Sequence, residues 1–199
     1  MLSLDDYGAI FAVIGLVGVL LLASPTLGFV LHFSGSEPFS ELYILGPGHM
    51  ADGYPFNVKA GEEYGVYVGV ANHMGLSSYY LVCVKFRNQS EPLPNVTEGL
   101  PSPLPAIYMY RVFVEDGGSW ETFLRFSFSG VSRFGNQCLV ESLTVNDFTF
   151  TVNKWALWDS ANKGFYYQLF IELWIYDLEY GGFRFHNRFV SLWLNMSVS

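Results

Sequence analysis

Two hydropathy patterns divide the chain. No charged side chain occurs between Tyr7 and Ser36, and the stretch Gly8 to Leu31 is largely apolar. About 24 helical residues rising ~1.5 Å each give ~36 Å, enough to cross a hydrocarbon layer of ~30 Å with some tilt. The pattern predicts a transmembrane helix over residues 8–33, a tail over 1–7 and a linker over 34–38. Pro25 ends or kinks that helix near Ser24, and Thr26 to Phe33 carry it to the interface. A cleaved signal peptide is the competing reading. It lacks a basic leading region here, and its apolar part exceeds the usual length of about 7–15 residues.

After Glu37 the period changes to short alternating runs of aromatic and β-branched residues, broken by Gly, Pro and Asn. Strands are predicted at Phe39 to Leu45, Tyr64 to Ala71, Ser77 to Arg87 and Ala106 to Val114. Trp120 to Ser129 follows the turn Glu115-Asp116-Gly117-Gly118 and is expected to pair with 106–114 as a hairpin. Leu139 to Val145 and Phe148 to Val152 flank Asn146-Asp147 and predict a tight hairpin. Phe165 to Ile175 and Phe183 to Val198 complete about nine strands, with a short helix expected within Trp155 to Lys163. In Ser77 to Arg87 the more apolar face holds Tyr80, Val82, Val84 and Phe86, which is therefore the core face. Pro92, Pro94, Pro101, Pro103 and Pro105 exclude residues 88–105 from a central sheet and predict an extended surface loop. Such a set is satisfied by two antiparallel sheets packed face to face over residues 39–199.

Composition narrows the function. The net charge is −8, and the first lysine is Lys59. An acidic chain without a basic cluster argues against nucleic acid and against a polybasic grip on anionic lipid. No Lys or Arg flanks the apolar segment, so orientation rests on the Asn-x-Ser/Thr acceptors at Asn88, Asn95 and Asn195. If used, they put the β domain outside the cytoplasm; chance occurrence is the bland alternative.

Cys83 and Cys138 suit a disulfide in that compartment, closing a loop of about 55 residues worth ~4 kcal/mol by chain entropy. Two buried free thiols are the alternative. The four histidines, His32, His49, His73 and His186, lack helical metal spacing, and the two cysteines form no CxxC pair, so neither cofactor nor metal is expected. Asp116, Asp159 and Asp177 lack the spacing of a calcium loop. No nucleophile elbow occurs, and adjacent acids such as Glu62-Glu63 point to opposite faces of a strand, so the chain is read as non-enzymatic.

Trp155, Trp158, Trp174 and Trp193, with Tyr166, Tyr167 and Tyr176, exceed what one core needs. They read as a carbohydrate platform, as a contact surface for membrane proteins, or as core and interfacial rings.

Ser40-Glu-Leu-Tyr-Ile-Leu-Gly-Pro (40–47), Tyr54-Pro55, Gly61-Glu62 and Val68-Gly-Val-Ala-Asn-His (68–73) form a further pattern. It resembles the extracytoplasmic domain of an archaeal group of membrane proteins known as domain of unknown function 1616. Trp120-Glu121, after its glycine turn and before Phe126-Ser127-Phe128, also resembles that group. The resemblance covers residues 39 to 130, and more loosely the strands to the C-terminus. It implies an immunoglobulin-like sandwich next to a membrane and an archaeal source, and it supplies no reaction. Longer members carry several membrane helices where this chain has one apolar segment, and Met74 stands where many carry an acid.

The expectation is therefore one membrane helix followed by an extracytoplasmic, all-β, immunoglobulin-like antiparallel sandwich. Its expected role is that of a non-catalytic accessory subunit contacting other membrane or envelope proteins. The alternatives are a filament or surface-layer subunit built by strand addition, and a glycan-binding or glycan-transfer accessory protein.

Overall fold

The computed structural model describes residues 8, 11–19 and 37–197. The chain separates into Met1–Pro38 and Phe39–Ser199. In the first unit residues 11–19 are helical, with Phe11, Val13, Ile14, Leu16 and Val19 exposed. Among the described residues no helix is long and apolar enough to cross a membrane. The rest of the predicted span over 8–33 lies outside the described residues.

The second unit holds ten strands: β1 (Phe39–Leu45), β2 (Asn57–Lys59), β3 (Glu63–His73), β4 (Ser78–Asn88), β5 (Tyr108–Val114), β6 (Ser119–Phe134), β7 (Gln137–Val145), β8 (Phe148–Asp159), β9 (Gly164–Asp177) and β10 (Gly182–Ser197). β1-β3-β6-β7-β8 form one antiparallel sheet. β2-β10-β9-β4-β5 form the other, in which only β2 and β10 run parallel. The sheets meet where β8 turns into β9, through the pairs Trp158–Phe165 and Asp159–Gly164.

Alternation along each strand sends one apolar stripe inward, and the stripes share one core. The first sheet contributes Val66, Val68, Val70, Leu124, Phe126, Phe128 and Leu143; the second contributes Tyr80, Val82, Val84, Phe86, Leu169, Ile171 and Leu173. Phe86 stacks on Tyr167 at 5.4 Å and meets Phe128 of the opposite sheet at 5.5 Å. The Tyr167 hydroxyl donates to the Cys138 carbonyl across the core at 2.7 Å, satisfying a polar atom that would otherwise be buried unpaired.

Five expectations are corrected. β5 and β6 are not a hairpin: β5 pairs with β4, and β6 with β3 and β7. The turn between them forms, but it carries the chain from one sheet to the other. Asn72 latches it, its carbonyl accepting from the Gly117 amide and its amide donating to the Gly118 carbonyl. No helix forms within Trp155 to Lys163, because β8 runs on to Asp159 past a register shift at Val140/Ser142 of β7 and a positive φ at Asn153. β2 was not foreseen; three residues are too few to establish a period.

The fourth correction concerns residues 89–107. This proline-rich segment is a strap folded over the outer face of the second sheet. Lys85 Nζ donates to the Ser102 carbonyl at 2.8 Å, and the Ser102 amide donates to Glu172 Oε1 at 2.8 Å. Arg87 donates to the carbonyls of Gln89 and Glu91. Beneath the strap lies a buried ion pair, Lys85–Glu172 at 2.9 Å. Glu172 also accepts from Trp174 Nε1 at 3.1 Å.

The fifth concerns the cysteines. Cys83 and Cys138 are free thiols. Cys138 belongs to the core. Cys83 lies between inward residues Val82 and Val84, so its side chain emerges on the strap side of β4. A bridge between them would have to pass through the second sheet. Burial pushes the Cys83 thiol up to about 11, and burial raises Cys138 as well, so neither is a ready nucleophile at neutral pH.

Candidate functional site

Where the strap begins, the outer face of the second sheet opens into a notch of about 440 Å³ lined by Phe56, Gln89, Asp159, Asn162, Tyr166 and Trp193. β9 supplies Tyr166 and β10 supplies Trp193, while Gln89 is the first strap residue after β4. Phe56 is brought in by β2: its carbonyl accepts from the Asn195 amide at 2.7 Å, and Asn195 Nδ2 donates to Asn57 Oδ1 at 3.0 Å. Gly164 leaves room beside them: a Cβ there would overlap Asn195 Oδ1 and the Tyr166 ring, and these side chains would have to shift.

The rings form an angled wall. Phe56 and Tyr166 lie 6.1 Å apart, and Tyr166 meets Trp193 edge-on at 6.3 Å and 87°. Phe56 and Trp193 are each 46% exposed, leaving ring faces open to a ligand. Arg87 stacks over Trp193 at 5.9 Å. The polar side is ordered by the turn after β8. Asp159 Oδ1 accepts from the amides of Ala161 and Asn162, and Oδ2 accepts from Asn162 Nδ2 at 2.8 Å. Tyr166 OH donates to the Asn162 carbonyl at 2.6 Å. The hydrogen bond from the Asn162 side chain, with those from the backbone, holds the Asp159 carboxyl below its ordinary range, so it is an ionised acceptor at neutral pH. In the same cross-strand row as Trp193, Gln168 is the register partner of both Trp193 and Arg87. Among the described residues, Arg87 Nε and Gln168 Oε1 are buried without a hydrogen-bond partner.

A second exposed feature lies on the outer face of β8 and the end of β6. Phe134, Trp155 and Leu157 are 58%, 44% and 56% exposed, and Phe134 packs against Trp155 at 5.7 Å. Trp158 packs instead on Phe165 at 5.1 Å, with Arg133 over its ring. Trp174 is half-buried and tied to Glu172 at the strap. The four tryptophans singled out from the sequence therefore occupy different places, and only Trp193 enters the notch.

Of the glycan acceptors, Asn95 is exposed on the strap, its Oδ1 closing a turn to Thr97 and Glu98. Asn88 is half-buried, and its Nδ2 donates to the Trp155 carbonyl at 2.8 Å. Asn195 Nδ2 is held by Asn57. His49 pairs with Glu121 and lies edge-on to Tyr67, His73 lies 3.7 Å from Glu41, and His32 is outside the described residues. Asp116, Asp159 and Asp177 each close a separate turn. Among the described residues no group of three His, Cys, Asp or Glu side chains gathers to hold a metal.

Phe56, Gln89 and Asn162 were missed as site residues. Their only sequence signal is an aromatic or amide side chain beside a turn, which becomes a site once β2 docks on β10.

The fold and these surfaces define a mostly-β domain of two sheets with two exposed aromatic surfaces. The chain belongs to the family described as Domain of unknown function (DUF1616), whose family model matches residues 34–134. No curated protein matches the chain. Among solved structures it is similar to the CARDB domain of a Pyrococcus furiosus protein in complex with di-metal ions, at 11% identity, with 81% of this chain and 90% of that one covered and a TM-score of 0.39. It is also similar to a β-glucosidase from Listeria innocua in complex with glucose, at 9% identity and a TM-score of 0.41, covering 81% of this chain and 16% of that one. A chain of the human seminal-plasma complex between zinc 2-glycoprotein and prolactin inducible protein matches at 10% identity, 81% and 98% coverage, and a TM-score of 0.38.

The residues that carried the resemblance act structurally. Ser40 Oγ, Tyr80 OH and Asn72 Oδ1 form a buried chain, with 2.7 Å and 2.9 Å steps, and His186 Nε2 joins Ser40 Oγ at 3.0 Å. The Tyr43 ring lies over Gly69, its register partner, and Tyr54 OH donates to the Ile44 carbonyl at 2.9 Å.

Proposed function

We propose that this chain is a membrane-anchored, non-catalytic interaction subunit. In this reading residues 8–33 hold an immunoglobulin-like sandwich outside the cytoplasm, within an archaeal membrane or cell-envelope complex. The observation that carries the reading is the exposed apolar shelf of Phe134, Trp155 and Leu157. Neighbouring exposed aromatic and aliphatic side chains on a rigid sheet face are costly to leave in water and favour a protein partner. The exposed apolar helix over 11–19 supports the anchor, since a helix apolar all round requires an apolar surrounding.

Mild extraction of the full chain from its native membranes should yield a partner in fixed stoichiometry. Trp155→Ala combined with Leu157→Asp should abolish that association while leaving the unfolding midpoint within a few degrees. A solitary monomer after extraction, or association indifferent to both changes, overturns the reading. Under the external orientation Asn95 carries glycan more fully than Asn195, whose amide is committed to Asn57; site-resolved glycopeptide mass spectrometry measures this.

Strand addition is a second reading, favoured by β5, which among the described residues pairs with β4 alone and exposes Met109 and Phe113. It predicts multimers that Arg111→Pro disrupts.

A further inference from the structure

Beyond the protein contacts proposed above, the notch at Phe56, Tyr166 and Trp193 has the chemistry of a ligand site. We propose that it binds a neutral pyranose residue of a glycan. A pyranose has one face of C–H groups and a rim of hydroxyls. The C–H face suits an exposed aromatic ring, whose negative π-face attracts polarised C–H. Trp193 and Phe56 offer such rings at an angle set by Tyr166. The rim needs acceptors and donors close together. The Asp159 carboxylate accepts, and the Asn162 and Gln89 side chains each carry an acceptor oxygen and donor hydrogens.

Other ligand classes fit less well. Three rings and a carboxylate would suit a quaternary ammonium, but Arg87 over one side of the Trp193 ring sets a positive charge beside the notch that repels a second cation. The notch, at about 440 Å³, also exceeds what one methylated ammonium fills. An acidic sugar would meet the Asp159 carboxylate in a chain of net charge −8. A neutral sugar meets neither objection. Arg87 Nε and Gln168 Oε1, buried and unpaired in the same cross-strand row as Trp193, leave hydrogen-bonding capacity in the wall beside it.

The site is pre-formed. Gly164, the Asn195–Asn57 contact and the Asp159–Asn162 turn fix its parts before any ligand arrives, which lowers the ordering cost of binding.

The test is titration of the full-length protein in lipid nanodiscs, which avoids detergents with sugar headgroups. The probes are glucose, mannose, galactose, N-acetylglucosamine and their short oligomers, with choline and glucuronate as controls. Tryptophan fluorescence and saturation-transfer NMR report binding. At least one neutral sugar should bind with a millimolar or tighter constant. Trp193→Ala should weaken it about tenfold, and Gln89→Ala and Asn162→Ala severalfold, with unfolding midpoints little changed. Trp155→Ala, on the shelf, should leave the constant unaltered, which separates this site from the partner surface. Three results overturn the proposal: no neutral sugar binding at tens of millimolar, tighter binding of choline or glucuronate, or sugar binding that Trp193→Ala does not change.

Discussion

The first sheet leaves its outer face open, whereas the second carries the proline-rich strap across its own. The consequence is legible strand by strand. In β8 exposed and less exposed positions alternate, as one buried face requires. In β9 every residue from Gly164 to Leu173 is buried, because the core covers one face and strap and neighbours cover the other. A second covered face must still satisfy whatever polar groups it holds. Here it holds a lysine and a glutamate, and the strap backbone at Ser102 completes their hydrogen bonds. The notch begins where the strap leaves the sheet, so cover and binding surface are two ends of one feature.

The largest effect that distinguishes the sheets is at Lys85. Lys85→Met strands the Glu172 carboxylate beneath the strap and should cost about 3–5 kcal/mol in urea unfolding. Lys85→Met with Glu172→Leu should recover most of that loss, since neither charge then remains buried alone. On the open sheet, Thr144→Val removes an exposed cross-strand contact to Thr149 and should stay within about 0.5 kcal/mol. Equal losses at Lys85 and Thr144 would mean that the strap does not seal the pair.

Much of this was legible in the sequence, and the failures share a cause. Phe39 to Leu45 matches β1 at both ends, and the hairpin at Asn146-Asp147 forms with both residues at positive φ. Such features depend on side-chain period and turn chemistry, which are local. Whether Val114 and Trp120 flank a hairpin or a crossing between sheets is not local: both outcomes bury the same stripe, and Asn72, more than forty positions away, decides it. The five prolines excluded a central strand but could not indicate that their segment lies on Glu172. The alternation that put Tyr80 to Phe86 inward also put Cys83 outward, which was sufficient ground to doubt a bridge to a core cysteine. The notch depends on β2, whose length carries no period.

Glycines sharpen the comparison at intermediate size. At Gly46 a Cβ would overlap the Asp52 carbonyl, a backbone atom in the tight turn after β1. Gly46→Ala must shift that turn and should cost about 1–3 kcal/mol, as overpacking does. At Gly69 a Cβ meets only the far end of the Tyr43 ring, which can swing toward solvent on the open face. Gly69→Ala should therefore cost less than Gly46→Ala in paired thermal melts. The reverse order would show that the Tyr43 cover over Gly69 is as fixed as backbone.

A pH-dependent effect tests the contact that joins the two sheets at their edge, His186 of β10 with Ser40 of β1. Burial, then the nearby Arg188 charge, lowers the His186 pKa. Its ordinary value is about 6.5. Between the folded value and 6.5 the unfolded chain binds more protons, so stability rises with pH across that window. The contribution is complete above about 6.5 and is lost as pH falls through the window toward the folded value. Asp159 and Asp177, whose folded values are lowered, lose their contributions only as pH falls below the ordinary aspartate value near 4, so the two windows separate. His186→Gln should flatten the fall in melting temperature that begins below about pH 6.5 and leave the carboxylate-driven drop in place. Ser40→Ala removes a hydroxyl shared by His186 and Tyr80 and should cost about 1 kcal/mol at every pH. If the wild-type slope near pH 6 survives His186→Gln, another group carries it, and the edge contact is a neutral hydrogen bond without a role in the acid response.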